Sequence, residues 1–388
     1  MSSKEELGQR IARIRHLAGF SQTKLARLMS SSRSMVAQVE LGIASPSTSW
    51  IGACAAALGV DSADLTRGSD TDPDQLHRLV PTIRRALASV DLYPDDIEPR
   101  SIEEIRADVV QIGEWRRATK YDKIGVVLPD LVDELLVATG ESGEPAYALL
   151  TAAYRAANTL GHKYGYADLS LTAAERMEWA SQRSGDPLLI GMTHYLRAAA
   201  LARIGSGKQA MLLLNRAIAE LQPISPSNDL ASAVYSALHM KAGTIAATLA
   251  DRQSSEAHLN EAAEFAGTDR VAYETVVGRT NVELHRIAAA VDLGDVGKAE
   301  QISMSTNLPE GYAKERSAYY WIDTARAYLG QGRTGKAIEA LWEAQEVAPE
   351  HFRASRAVDA TLDTVAAQER RAGSDSLRRL AVLAGKKS

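Results

Sequence analysis

Residues 21–42 read SQTKLARLMSSSRSMVAQVELG. Ser21 precedes a stretch in which Leu25, Ala26 and Met29 share one face at helical spacing, and a serine hydroxyl at that point can accept from the first-turn N–H groups. The Ser30-Ser31-Ser32 tract interrupts the pattern. Ser32 then stands where it can cap another helix, 33–41, with Val36 and Val39 turned to the core. Upstream, Leu7, Ile11, Ile14 and Leu17 follow helical spacing and Gly19 supplies a stop. Downstream, an apolar helix runs over 51–58 and contains Cys54, the only cysteine of the chain. With no second cysteine or histidine beside it, Cys54 reads as a small core residue. The small Ala26 lets two helices approach closely at a short turn.

These residues resemble the XRE family, the lambda and 434 repressor type. The family pattern pairs a Ser-Gln with a Leu-Ala, follows the turn with a valine and then Glu-x-Gly, and ends on a helix closing Ala-x-x-Leu-Gly-Val. The matching positions are Ser21, Gln22, Leu25, Ala26, Val36, Glu40, Gly42, Pro46, Ser47, Ala55, Leu58, Gly59 and Val60. The departure is Ser30, where the family usually has glycine; a serine there costs about 1 kcal/mol if the turn is left-handed. The resemblance implies a helix-turn-helix domain over 1–68 whose recognition helix enters the major groove by its N-terminal end. It assigns Arg33, Ser34 and Gln38 to bases, with Arg33 suited to guanine and Gln38 to adenine. Gln22 matches a position touching DNA backbone or an outer base, and Arg15 and Lys24 are phosphate candidates.

Charge distribution fits a small DNA-contacting part on a larger acidic body. Residues 1–69 hold eight Lys or Arg against five Asp or Glu, a balance of +3, while the whole chain carries −5, leaving −8 for the rest. A net negative chain is not a bulk nucleic-acid coat. No run of about 18 apolar residues is present to span a bilayer, and the charged start and lone cysteine lead to the expectation of a cytoplasmic protein with no membrane partner.

The stretch 67–73, RGSDTDP, combines Gly, Ser, Asp and Pro and reads as a linker, placed at 69–74. Beyond it the pattern is helical, with no convincing alternation for strands, so the expected fold class is all-α: a helical adaptor or first repeats over 75–140, then repeats over 141–388. Breaks fall near Tyr93-Pro94, 140–145, 161–165, 185–187, 205–207, 223–226, Gly294 and 330–335. Trp321, Ala325, Tyr328, Gly332, Ala337, Ala344 and Pro349 stand at tetratricopeptide-repeat spacing, and Ala210, Ala257, Ala299 and Ala337 serve as anchors separated by 47, 42 and 38 residues. In such arrays the first helix of each pair lines a concave surface. Transferring that frame gives three inward columns: Met192, His239, Asn281, Tyr319; Tyr195, Ala242, Leu284, Ile322; and Ala199, Ala246, Ala288, Arg326. Tyr195, His239, Asn281, His285, Tyr319 and Arg326 are the effector-contact candidates, offering phenol, imidazole, amide and guanidinium groups.

The plan resembles actinobacterial XRE regulators with long helical-repeat domains, and the peptide-pheromone regulators, in which ligand binding in the repeats rearranges a dimer. It implies a homodimer on a double-stranded DNA operator, controlled by a peptide or small-molecule effector, in secondary metabolism or development. The alternative is a scaffold or antitoxin-like regulator whose repeats hold a partner protein. No phosphate-binding loop, nucleophile elbow, HExxH or cysteine cluster is present. The expectation is therefore no enzyme activity, no cofactor and no metal.

Overall fold

The computed structural model of the protein describes residues 7–66, 75–90, 97–224, 228–368, 380, 383 and 384. The expected linker at 69–74, the break at Tyr93-Pro94 and part of that at 223–226 lie outside these residues. The fold is all-α, as the sequence led one to expect, with one small β-hairpin.

Five short helices build the head: α1 (Leu7–Leu17), α2 (Gln22–Leu28), α3 (Arg33–Glu40), α4 (Thr48–Leu58) and α5 (Ser62–Thr66). Ser21, Ser32 and Ser47 cap α2, α3 and α4, each hydroxyl accepting from an N–H three residues on, at 3.1, 3.0 and 3.2 Å. Ile11, Leu25, Val36, Val39, Trp50 and Ile51 form the core, and Trp50 Nε1 donates to Ser31 Oγ at 3.0 Å. Leu17 departs from the helical-face reading. It stands at the last turn of α1, just before Gly19 redirects the chain, and is 77% exposed. Cys54 is fully buried and its thiol is pushed up to about 12, first by burial and then by Glu40, so it is chemically quiet.

Ser30 takes the left-handed conformation at φ +53° that its place in the turn demands. A β-carbon is strained there. Ser30→Gly is therefore expected to stabilise the protein by about 0.5–1 kcal/mol, part of the gain being returned to the freer unfolded chain. The melting temperature in calorimetry should rise; a fall would show that Ser30 holds the turn by some other means.

Beyond the head, α6 (Gln75–Ala88) packs against the outside of a series of helix pairs. The first helices are α7 (Ile102–Arg117), α9 (Glu144–Lys163), α11 (Pro187–Arg203), α13 (Asp229–Thr248), α15 (Arg279–Asp292) and α17 (Lys314–Gly330). Their second helices are α8 (Tyr121–Ser142), α10 (Ala167–Arg183), α12 (Gly207–Leu221), α14 (Arg252–Phe265), α16 (Val296–Ser305) and α18 (Thr334–Val347). One turn recurs inside every pair. A residue at positive φ follows the first helix: Thr119, Gly165, Gly205, Ala250, Gly294 and Gly332. The next N–H reaches back to a carbonyl five residues earlier, as in Tyr166 to Gly161 O at 2.8 Å and Asp251 to Ala246 O at 2.9 Å, the Schellman geometry that terminates a helix. Five residues after the left-handed position comes a buried contact: Ile124, Ser170, Ala210, Ser255, Ala299 or Ala337. Except for Ile124 these are small, which lets the two helices of a pair close together.

The fourth of these anchors corrects the sequence frame. Ser255 is fully buried, whereas Ala257, the residue the spacing selected, is exposed. Because Ala250 replaces glycine at this turn, the sequence carries no visible break there. The hairpin between α14 and α15 was also unexpected: β1 (Arg270–Ala272) and β2 (Thr275–Val277) pair antiparallel around Tyr273 and Glu274, both at positive φ.

The chain closes with α19 (Pro349–Ala354) and α20 (Arg356–Gln368), and α20 returns to the head. Ala360 joins the head's core, Ser45 Oγ lies 3.0 Å from Thr361 Oγ1, and Gln368 Nε2 donates to Ile43 O at 3.0 Å. On the other side, α4 lies on the end of α11 so closely that a β-carbon at Gly52 would collide with the Arg203 carbonyl. The head is thus seated on the repeats through α4, α5 and the loop after α3.

Candidate nucleic-acid interface and ligand chamber

Away from that seat, the N-terminal end of α3 is open. Arg33 and Ser34 are exposed, and Gln38, one turn further, is half-buried. Lys24 is exposed on α2, its ammonium 4.0 Å above the Phe20 ring. Two other candidates are held by one carboxylate. Glu40 receives Arg15 Nε at 2.6 Å, Arg15 Nη2 at 2.9 Å and Gln22 Nε2 at 2.9 Å, while Arg15 Nη1 donates to the Phe20 carbonyl at 2.6 Å. Arg15 is only 5% exposed. Its fork ties the end of α1 to the end of α3 and fixes the recognition helix, in place of the surface phosphate contact expected of it.

Residues 6–67 match the family model of a helix-turn-helix domain. The head is a helix-turn-helix domain. That match supports a DNA-binding regulator. No curated protein and no solved structure matches the chain significantly. Among the described residues, no helix is long and apolar enough to cross a membrane.

Behind the helix-turn-helix head, the inner faces of the first helices line two adjoining cavities of about 220 and about 100 Å³. Lys163, Arg203, Lys241, Arg316 and Tyr319 line both. The larger reaches the head at Ser47, Thr48 and Ser49; the smaller is bounded by Glu274 at the hairpin tip. Together they form one chamber, whose walls carry more cations than carboxylates.

Four carboxylates are already engaged. Glu274 pairs with Arg117, and its backbone carbonyl accepts from Arg116. Glu315 takes Lys163 at 2.9 Å and Arg116 at 3.4 Å; burial opposes its charge, but these cations hold it below the usual carboxylate range. Asp292 and Asp323 take Arg326 at 2.6 and 2.7 Å. Four further cations have no carboxylate within ion-pair distance among the described residues. Arg155 donates to Tyr273 O at 2.9 Å and Arg203 to Ser170 Oγ at 2.9 Å. Lys241 lies 4.7 Å over the Tyr195 ring and Arg316 4.8 Å over that of Tyr319.

The surplus is felt by its neighbours. Burial and then Arg116 push Arg155 down to about 9, with Glu274 and Glu315 opposing, and burial brings Arg203 down to about 10. Burial alone would raise the Tyr195 phenol, yet Lys241, Arg316 and Arg155 outweigh it and bring it below its ordinary value.

Of the effector candidates, Tyr195, His285, Tyr319 and Arg326 line this chamber, and His239 and Asn281 do not. His239 lies between α13 and α14 with its Nδ1 3.1 Å from that of His258. Asn281 is fully buried and donates to Val276 O at 2.7 Å, fastening α15 to the hairpin. The exposed Ala257 accounts for the choice of His239, whereas Asn281 was placed from the correctly buried Ala299 and is turned to the hairpin instead. With Ser255 as the anchor, the third column becomes Ala199, Thr244, Ala288 and Arg326, all of them on the chamber wall; the row Leu196, Lys241, His285 and Asp323 also lies on the wall but belongs to none of the three columns. Arg155, Arg203, Lys241 and Arg316 were missed by the sequence reading, and correcting the anchor does not select them, because none of the four stands on one of the three columns. Arg326, although in the wall, also donates its Nε to Ser45 O at 3.1 Å and so joins the chamber to the head.

Proposed function

We propose that the chain is a homodimeric, cytoplasmic transcriptional regulator, with Arg33, Ser34 and Gln38 reading operator bases and the repeat domain sensing an effector. The observation that carries this reading is the placement of the head. Its α3 end is open to DNA while its opposite side supplies Ser47–Ser49 to the chamber wall and the Ser45 carbonyl to Arg326. An occupant that contacts the wall differently when the head is seated or shifted therefore changes DNA affinity, since differential affinity is what moves such an equilibrium. Paired heads would engage half-sites about one helical turn apart. Gln22 and Lys24 contribute at the backbone, and Arg15 acts by positioning α3.

The test is operator binding after selection of bound fragments from genomic DNA. Arg33→Ala and Gln38→Ala are each expected to weaken binding by about 1–3 kcal/mol and to relax preference at one base position. Lys24→Ala should weaken binding to all sequences alike and lower the salt slope by about one. Unchanged affinity and preference in both base-facing variants would overturn the docking.

A further inference from the structure

We propose that the chamber binds a small phosphorylated metabolite, a phosphomonoester or diphosphate, with Arg155, Arg203, Lys241 and Arg316 meeting its phosphoryl oxygens. This rests on the sensing reading above and names the class of effector.

Charge is the first reason. Inside a protein of net charge −5, these four cations converge around the Tyr195 and Tyr319 phenols, and the four nearby carboxylates are taken by other partners. Gathering cations without counter-ions in a partly buried chamber is costly unless an anion completes them. The second reason is an unmet donor. Arg155 is 7% exposed, lines the smaller cavity, and its Nε has no hydrogen-bond partner among the described residues. A guanidinium fork matches phosphoryl oxygens two at a time, and three of the four cations are arginines.

Size decides between a metabolite and a peptide. The cavities, about 220 and about 100 Å³, stand at the small end of ligand pockets, and the hairpin tip at Glu274 bounds the smaller. A phosphorylated small molecule fits them; a peptide of many residues does not.

The full-length protein should be titrated with sodium pyrophosphate by calorimetry, and its melting temperature followed, in chloride buffer at constant ionic strength. Citrate serves as the non-phosphoryl polyanion. A saturable heat at one site per chain, with a rise in melting temperature that citrate does not reproduce, is the expected result. Arg155→Gln and Arg316→Gln should each weaken it at least about tenfold. Should Arg155→Gln fail to fold, Lys241→Gln, at a half-buried position lining both cavities, reads the same loss. No saturable heat, a preference for citrate, or full binding retained in the Arg155→Gln, Arg316→Gln and Lys241→Gln variants would each overturn the site. Operator affinity with and without pyrophosphate separates the two readings. Saturable binding with unchanged DNA affinity upholds the phosphoryl site and removes the sensing role, whereas absence of binding removes the site and leaves sensing to another effector.

Discussion

Replacing Arg326 by methionine is expected to cost the protein about 3–5 kcal/mol, the usual consequence of leaving buried charges without their partner. Arg326 is 3% exposed, and its three nitrogens are committed to Asp292, Asp323 and the carbonyl of Ser45. Burial already holds Asp323 above the ordinary carboxylate range, even with Arg326 beside it. Without the guanidinium, two largely buried carboxylates would be left without their common partner. The damage should be local as well as global. Amide hydrogen exchange in the loop after α3, residues 41–47, is expected to accelerate more than in the α8–α9 core, because the carbonyl of Ser45 loses its donor. Combining Arg326→Met with Asp292→Asn and Asp323→Asn should recover most of the melting temperature by removing the stranded charges. A single variant as stable as the parent would show that the network does not hold the seam.

Acid should loosen the same protein well above the range in which ordinary carboxylates titrate. Burial, and secondarily the neighbouring His258, push His239 down to about 4. Burial also keeps His162, His285 and His351 well below 6.5, with cations such as Arg203, Lys241 and Lys163 adding to it. These imidazoles are neutral in the folded chain but take up protons near pH 6.5 once unfolded. The unfolded state therefore binds more protons below that pH, and stability must fall as pH drops from about 6.5 towards the folded values. His239 alone accounts for about 2 kcal/mol at pH 5. Glu315, held below its ordinary value, adds a loss of the same sign below about pH 4.3, where the unfolded carboxyl is protonated. Thermal scans should be nearly flat above pH 7 and decline by several degrees between pH 6.5 and 5. His239→Phe, which cannot titrate, should flatten part of that decline. A melting temperature constant from pH 7 to 5 would contradict the buried neutral histidines.

The parts of the molecule that the sequence made legible share a physical trait: they are local. Ser21 and Ser32 cap their helices because a hydroxyl reaches an N–H three residues away, whatever the rest of the chain does. Turns built on Gly165, Gly205, Gly294 and Gly332 are visible because a left-handed residue favours glycine. Where the same geometry is met by Thr119 or Ala250, the turn has no signature, and the error at Ala250 carried over to the choice of Ala257 and from there to His239. The hairpin at 270–277 escaped notice for a related reason. Its strands are three residues long and its turn is Tyr-Glu, so neither alternation nor a glycine announces it.

By itself the sequence determined the helical class, the helix-turn-helix head, its caps and the strained Ser30, since each depends on residues within one or two turns of one another. Tertiary structure alone decided that Arg15 is spent on Glu40, that the head is seated on α11 and α20, and that Arg155, Arg203, Lys241 and Arg316 meet in one chamber. Those four come from four different helices, spread over more than 150 residues of chain. Their charges read as ordinary solvated surface until the stacking of the first helices turns them inward. Position in the sequence sets which face of its helix a residue shares, but only packing decides what that face meets.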